Sequence, residues 1–268
     1  MNSTPAAILN VVGNAKRALR FQINHFKNSF MKQLIMLLMT LMSLTAFGQN
    51  SKQANKITIG YSFSPDYSFR TLKNGDGNSS TALVINSRDN IEKAKLGYTT
   101  GYNVTFHFSD LLGFETGVQY SNKGYKTEEQ DLIYFPPSPS SPNKATTTYS
   151  YQYIGIPLKA KFAFGKNKVR FISSAGFMTN FLVNVKQSIN LKYSDGKTEK
   201  KNQSSTSGFN KIEISPIVSI GVDYKLTDKI HFSAEPTFRF GLSKTKDAPV
   251  KENLWNAGLA LGISYSLK

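Results

Sequence analysis

The chain has 268 residues, a formal net charge of +16 and no cysteine. This length allows one substantial domain or two small ones. The missing cysteine excludes disulfides, thiol catalysis, cysteine-ligated zinc or iron–sulfur sites and a lipidated N-terminal cysteine. With 19 Phe, 13 Tyr and 19 Gly, the composition suits an all-β chain better than a helical one.

Residues 1–30 are basic and polar, carrying Lys16, Arg17, Arg20 and Lys27 ahead of a second methionine. They are expected to be an extended or non-native leader that carries no fold. Residues 31–48 have the layout of a secretory signal peptide. Lys32 precedes an apolar run from Leu34 to Phe47, and Ala46 and Gly48 occupy the small-residue positions of a cleavage site between Gly48 and Gln49. The run is shorter than the roughly 20 apolar residues of a spanning helix. Residues 49–268 then form the mature domain. The first 48 residues hold five Lys/Arg and no acid, so the remainder carries about +11. No RNP, zinc-finger or helix-turn-helix pattern accompanies that charge, so no nucleic-acid partner is expected. Anionic lipid or glycan at a cell surface is the partner class that fits, although solvated lysines are the ordinary explanation.

Beyond residue 55 the apolar residues alternate. Ile57, Ile59, Tyr61 and Phe63 oppose Thr58, Gly60 and Ser62, and Tyr102, Val104 and Phe106 oppose Gly101, Asn103 and Thr105. Phe114, Val118 and Tyr120 oppose Glu115, Gly117 and Gln119. In YIGIPLKAKF, the residues Ile154, Ile156, Leu158, Ala160 and Phe162 oppose Lys159 and Lys161. The run from Val169 to Val185 is less regular, because Ile172, Met178 and Leu182 interrupt its polar set. The pattern resumes in Ile214–Tyr224, Ile230–Phe240 and Trp255–Leu267. A period of two places such sets on opposite faces of a strand. Eight strands are predicted, near 56–69, 95–108, 112–125, 149–164, 168–185, 211–226, 229–242 and 254–267.

Short turns at Ser109–Leu112, Gly165–Lys168 and Thr227–Asp228 alternate with long polar connections over 70–94, 126–148, 186–210 and 243–253. The second of these contains FPPSPSSPNK, a stretch biased to extended, mobile conformations. This is the signature of an eight-stranded antiparallel up-and-down transmembrane β-barrel with short periplasmic turns and long extracellular loops, located in the outer membrane. Lipid cannot hydrogen-bond to backbone, so strands cross it only as a closed sheet, with the apolar face outward. A soluble sandwich would turn the same face inward.

An eight-stranded barrel is filled by its own side chains. On the inward phase lie Glu115, Lys159, Lys161, Arg170, Asp223, Glu235 and Arg239. Lumenal ion pairs are predicted between Glu115 and Lys161 and between Arg170 and Asp223, because an unpaired charge there is costly. Phe106, Phe108, Phe162, Phe164, Tyr224 and Tyr265 are predicted as an aromatic girdle at the short-turn end. Tyr67, Tyr125, Phe240 and Trp255 are predicted as its counterpart at the long-loop end. Pro157, Pro216 and Pro236 lie inside predicted strands, where bulges or carbonyls facing the lumen are expected. A hydrolase would have to recruit His107 or His231, with Ser109, Ser233, Asp110 and Asp228 nearby in sequence. No nucleophile motif surrounds them, so no enzyme activity is expected. No spaced set of metal ligands or phosphate-cradling glycine loop is present, and no cofactor is expected.

ETGVQYSNKGYK (Glu115–Lys126) followed by YIGIPLKAKF (Tyr153–Phe162) resembles the PorT-like outer-membrane β-barrel family of Bacteroidetes-type bacteria, with its "TGL-Y-x-x-KG" strand and later "Y-x-x-IPL" strand. The resemblance covers residues 55–268. The C-terminal Gly262-Ile-Ser-Tyr265-Ser-Leu267 is similar to a barrel-assembly signal, although the chain ends in Lys268 rather than an aromatic residue. Where the family commonly has an acid before Ile-Pro-Leu, this chain has Gly155, so no role of that acid transfers. The resemblance implies a barrel inserted by the assembly machinery and surrounded by outer-membrane lipid and lipopolysaccharide. It also implies a possible place in an outer-membrane complex, since some relatives assist a secretion machine. Two functions follow: a structural or interaction barrel acting through its loops, or a small porin-like channel or binder of an amphipathic or anionic ligand.

Overall fold

The computed structural model describes residues 56–136, 140–165 and 167–267. The predicted leader, the signal peptide with its Gly48–Gln49 cleavage site, and the middle of the proline-rich stretch lie outside the described residues. In chain order the elements are β1 (Lys56–Asn74), α1 (Ser79–Ile91), β2 (Glu92–His107), β3 (Leu112–Thr127), β4 (Gln130–Asp131), β5 (Lys144–Phe164), β6 (Val169–Lys192), β7 (Thr198–Ser204), β8 (Ile212–Lys225), β9 (Ile230–Phe240) and β10 (Val250–Ser266). The sheet runs β4-β5-β3-β2-β1-β10-β9-β8-β6-β7, and β5 also pairs with β6. Eight strands therefore close into an antiparallel up-and-down ring, with β4 and β7 as additions at the long-loop end. The β1–β10 seam runs from Thr58 opposite Ser266 to Asn74 opposite Val250.

Burial fixes which face looks inward. Ile156, Ile220 and Leu261 are 41%, 69% and 49% exposed, whereas Asp66, Glu115 and Glu213 are 1–3% exposed. A water-soluble core inverts that order. Apolar side chains thus coat the outside, charged ones fill the centre, and the barrel is built for hydrocarbon.

The eight predicted strands are all present, but the long connections were underestimated. The first, 70–94, contains α1. Asp76 accepts the Asn78 amide (3.0 Å) and the Thr81 hydroxyl (3.1 Å), which organises the helix N-terminus. These bonds hold the Asp76 carboxyl below the usual carboxylate range, the Asn78 amide contributing most. The third long connection is largely strand, and the second is strand at both ends and at β4. β5 and β6 stay paired up to Lys144 opposite Lys192. β7 lies along β6 from Lys186 opposite Ser204 to Lys192 opposite Thr198.

The prolines do not create bulges. The β3–β5 ladder skips from Thr116/Leu158 to Gln119/Gly155 around Pro157 with its register kept, while Pro157 stays opposite Met178 of β6. The β8–β9 ladder skips Pro236 in the same way, and Pro236 stays opposite Leu259. Pro216 stays opposite Phe177. A proline lacks only the donor aimed at one neighbour, so a single ladder opens and the other holds the strand in place. Register shifts occur elsewhere, between Ala94 and Tyr98 of β2 and between Gln152 and Tyr153 of β5, opposite Asn184 and Leu182.

Candidate functional site: a charged lumen closed by a loop helix

Inward side chains stack as successive polar levels. At the short-turn end Arg170 and Asp223 are direct register partners. The Arg170 guanidinium donates to Asp223 Oδ2 through Nη2 (2.6 Å) and Nε (3.1 Å). His231 Nδ1 lies 3.2 Å from the same oxygen. One level up, Glu115 stands opposite Lys159, with Lys161 two residues nearer the short turns, and its carboxylate reaches both. The distances are 2.5 Å to Lys159 and 3.1 Å to Lys161. Lys161 also approaches Glu235 (3.4 Å), which accepts from Ser219 (2.8 Å). Opposed charges bonded from both sides are the arrangement that offsets the desolvation of burying them.

The middle levels use acids that were not singled out in the sequence. Asp66 accepts from Ser64 (2.6 Å), Thr99 (2.6 Å) and Asn256 (2.7 Å), and Arg239 Nη1 lies 3.5 Å away. Glu213 is ion-paired to Lys123 and accepts from Ser215 (2.6 Å) and Asn180 (2.9 Å). Lys123 also lies over the Tyr153 ring. Their strand phase was the available signal, since Asp66, Lys123 and Glu213 fall on the inward set. Ile172, Met178 and Ile217, each 1–3% exposed, plug the remaining space. They are the residues that made the β6 pattern irregular, or lie beside them. Met178 passes over Gly155, where an added Cβ would meet its Sδ at 2.9 Å and Asn180 Oδ1 at 2.5 Å.

At the long-loop end the closing residue comes from α1. Arg88 donates to Glu92 Oε1 (2.7 Å), Glu252 Oε2 (2.6 Å) and the Tyr125 hydroxyl (2.9 Å). Burial alone would lower its pKa, but the bonds to Glu92 and Glu252 outweigh that and raise it. Glu252 is 1% exposed and further accepts from Tyr151 (2.8 Å), Tyr125 (3.1 Å) and Thr245 (3.1 Å). Arg70 of β1 binds Glu92 (2.6 Å) and is paired with Asp89 of the helix. Tyr125, Tyr151, Tyr153, Val185 and Leu254 form an apolar collar around these charges.

The girdle needs one correction. Tyr125 is 4% exposed and turns into the mouth rather than toward lipid. It shares the odd phase of Glu115, Gln119 and Lys123, so the alternation of β3 itself directs it inward. Phe106, Phe108, Phe164, Tyr224, Tyr265 and Tyr67 are exposed on the outside, at 39–65%. Phe162, Phe240 and Trp255 are half-buried, the last packed beside Tyr67 and Phe238.

The two histidines each bond a residue outside the serines and acids near them in sequence. His107 Nε2 bonds Thr58 Oγ1 (3.0 Å), and His231 faces Asp223. Ser109 accepts the amides of Leu111 and Leu112 in its turn. Among the described residues no group of three or more His, Cys, Asp or Glu could hold a metal ion.

Residues 47–247 match the family described as outer membrane protein beta-barrel domain. The chain belongs to that family and is an outer-membrane β-barrel protein. Among solved structures it is similar to Neisserial surface protein A, at 15% identity over 79% of this chain and 99% of that one, with a TM-score of 0.42. It is also similar to OprG of Pseudomonas aeruginosa (14% identity, 80% and 97% covered, TM-score 0.40). A third similar structure is the outer membrane protease OmpT of Escherichia coli (12%, 81% and 98%, 0.41). Comparison with curated proteins finds no match.

Proposed function

We propose that the protein is a non-enzymatic, non-conducting barrel whose working surface is its long-loop end, where it serves as a structural or interaction component of the outer membrane. The observation that carries this reading is the Arg88–Glu252 contact. A residue from a loop helix, bonded to a buried lumenal acid, closes the mouth above levels of charge that already fill the bore. A conducting pore needs a continuous wet path, and here each level is crossed by bonded side chains. The same ordered mouth, with its helix and strand extension, gives partners a rigid platform rather than a set of mobile loops. The resemblance to PorT-like barrels supports a place beside a secretion complex. Lys197 and Lys201 on the β6–β7 hairpin are exposed positions from which to crosslink such a partner in intact cells.

The test is single-channel recording on refolded protein in planar bilayers. The expected result is no steady conductance. A steady conductance that disappears on Arg170→Ala would replace this reading with that of a small channel.

A further inference from the structure

The outer surface changes character within β5 and β6. On β5 the outward residues run Leu158, Ile156 and Ile154, each 41–50% exposed, and then become Gln152, Ser150, Thr148, Thr146 and Lys144. On β6 they run Phe177, Phe181 and Val183, and the register shift at that point brings Lys186, Ser188 and Asn190 to the same face. Val185 confirms the phase, because it is 5% exposed and belongs to the collar inside. The apolar belt therefore ends near Ile154, and a polar wall continues from it without changing face. Four residues at about 3.3 Å each, on a tilted strand, put Ser150 and Lys186 roughly 10 Å above the last lipid-facing isoleucine. That height is the headgroup layer.

Registers carry this wall across four strands. Lys126 of β3 stands opposite Thr148, Thr148 opposite Ser188, and Ser188 opposite Asn202 of β7. Lys186 stands opposite Ser150 and Ser204, and Lys200 opposite Asn190. Strand spacing of about 4.8 Å separates Lys126, Lys186 and Lys200 from their nearest neighbours in the set by roughly 12–14 Å. At the top of the wall, Lys144 and Lys192 share one acidic partner, Glu129. Among the described residues, Lys126, Lys186 and Lys200 have no acidic partner. Three unneutralised cations among hydroxyls and amides climb from the headgroup layer outward, with Lys186, Lys126 and Lys200 roughly 10, 15 and 20 Å above Ile154, and complement a ligand with separated phosphates on a sugar frame.

We propose that this wall binds the phosphorylated glycolipid headgroup of the outer leaflet, with Lys126, Lys186 and Lys200 on its phosphates and the Thr148–Ser188–Asn202 row on its sugar hydroxyls. The proposal rests on the long-loop end being the outer, working surface. It deepens that reading by naming the ligand of one face.

The test titrates refolded protein in uncharged micelles with phosphorylated lipopolysaccharide and with the same glycolipid stripped of phosphate. Heat-modifiable gel migration checks the fold of every sample. The wild-type protein prefers the phosphorylated form. K186Q/K200Q weakens that binding by about 25-fold, from roughly fivefold per lysine at an anionic surface. K168Q/K229Q, which removes equal charge at the short-turn end, leaves binding within about twofold, since charges beyond a Debye length are screened. Should the first double variant not fold, K126Q alone carries the test, with a loss of about fivefold. Equal affinity for both glycolipids, or equal weakening by both double variants, would each overturn the proposal. None of these outcomes bears on conductance, so the closed-barrel reading fails or stands separately.

Discussion

The waist of the barrel and its mouth solve one problem, a carboxylate in a narrow bore, with different parts. At the waist every partner comes from a strand: Glu115 from β3, Lys159 and Lys161 from β5, Glu235 from β9. At the mouth Glu252 of β10 is met by hydroxyls of β3 and β5, by Thr245, and by Arg88 of a loop helix. The waist is tied into the sheet itself. The mouth is held shut by a segment with its own local stability, so the two ends can come apart independently.

The largest expected effect separates them at the waist. Glu115→Ala leaves Lys159 and Lys161 facing each other in the bore with their shared acid gone. Removing one partner of a buried pair costs about 3–5 kcal/mol. Urea unfolding in micelles, followed by tryptophan emission and heat-modifiable migration, is expected to show that loss as a lower midpoint of the whole barrel. A change below about 1 kcal/mol, the value of an exposed pair, would mean that the waist is wet and the contrast with the mouth is false.

Arg88→Ala strikes the mouth and is expected to act locally. Glu252 keeps its three hydroxyl donors, so the barrel loses little, while α1 keeps only the Asp89–Arg70 tie of its two links to the barrel wall. Cleavage within residues 79–91 by a broad-specificity protease is expected to speed up about tenfold, equivalent to the roughly 1.5 kcal/mol of a hydrogen bond to a charged group. The unfolding midpoint is expected to stay near that of the wild type. If the midpoint instead falls as far as in Glu115→Ala, the helix is part of the cooperative barrel rather than a separate cover.

The same division explains what could be read from the amino-acid order. Strand alternation is a short-range signal and survives wherever one face is apolar, so the eight strands and the inward placement of Lys159, Arg170 and Arg239 were legible. Asp66, Lys123 and Glu213 share that phase and were equally readable, as was the inward turn of Tyr125. Helix α1 was not. Only Thr81 of its residues is buried, so it has no apolar stripe, and its attachment runs through Arg88 and Asp89 to charges distant in sequence. The extension of β5 and β6 was hidden for a related reason. Above the bilayer both of its faces carry polar residues, and Thr146, Ser188 and Asn190 look like loop. The Gly155 position shows a third kind of limit. Only the packed Met178 and Asn180 reveal what occupies the space beside it.

The smallest expected effect probes the edge of the mouth, where β4 is clipped to the extension. Glu129 accepts from Lys144 (2.8 Å) and is paired with Lys192, and β4 itself contributes only the short ladder of Gln130 and Asp131 on β5. The Lys144 bond, followed by that of Lys192, holds the Glu129 carboxyl at about 2 against an ordinary value of 4.5. Because the folded pKa is depressed, the clip contributes fully above pH 4.5 and is lost as pH falls toward 2. A carbon-detected NMR titration of the Glu129 carboxyl is expected to show a midpoint near 2 that rises toward 4.5 in Lys144→Gln. A midpoint near the ordinary value in both proteins would mean that solvent screens the clip completely. β4 would then hang on its two backbone partners alone, and the difference between a strand-tied waist and a side-chain-tied mouth would not extend to this edge.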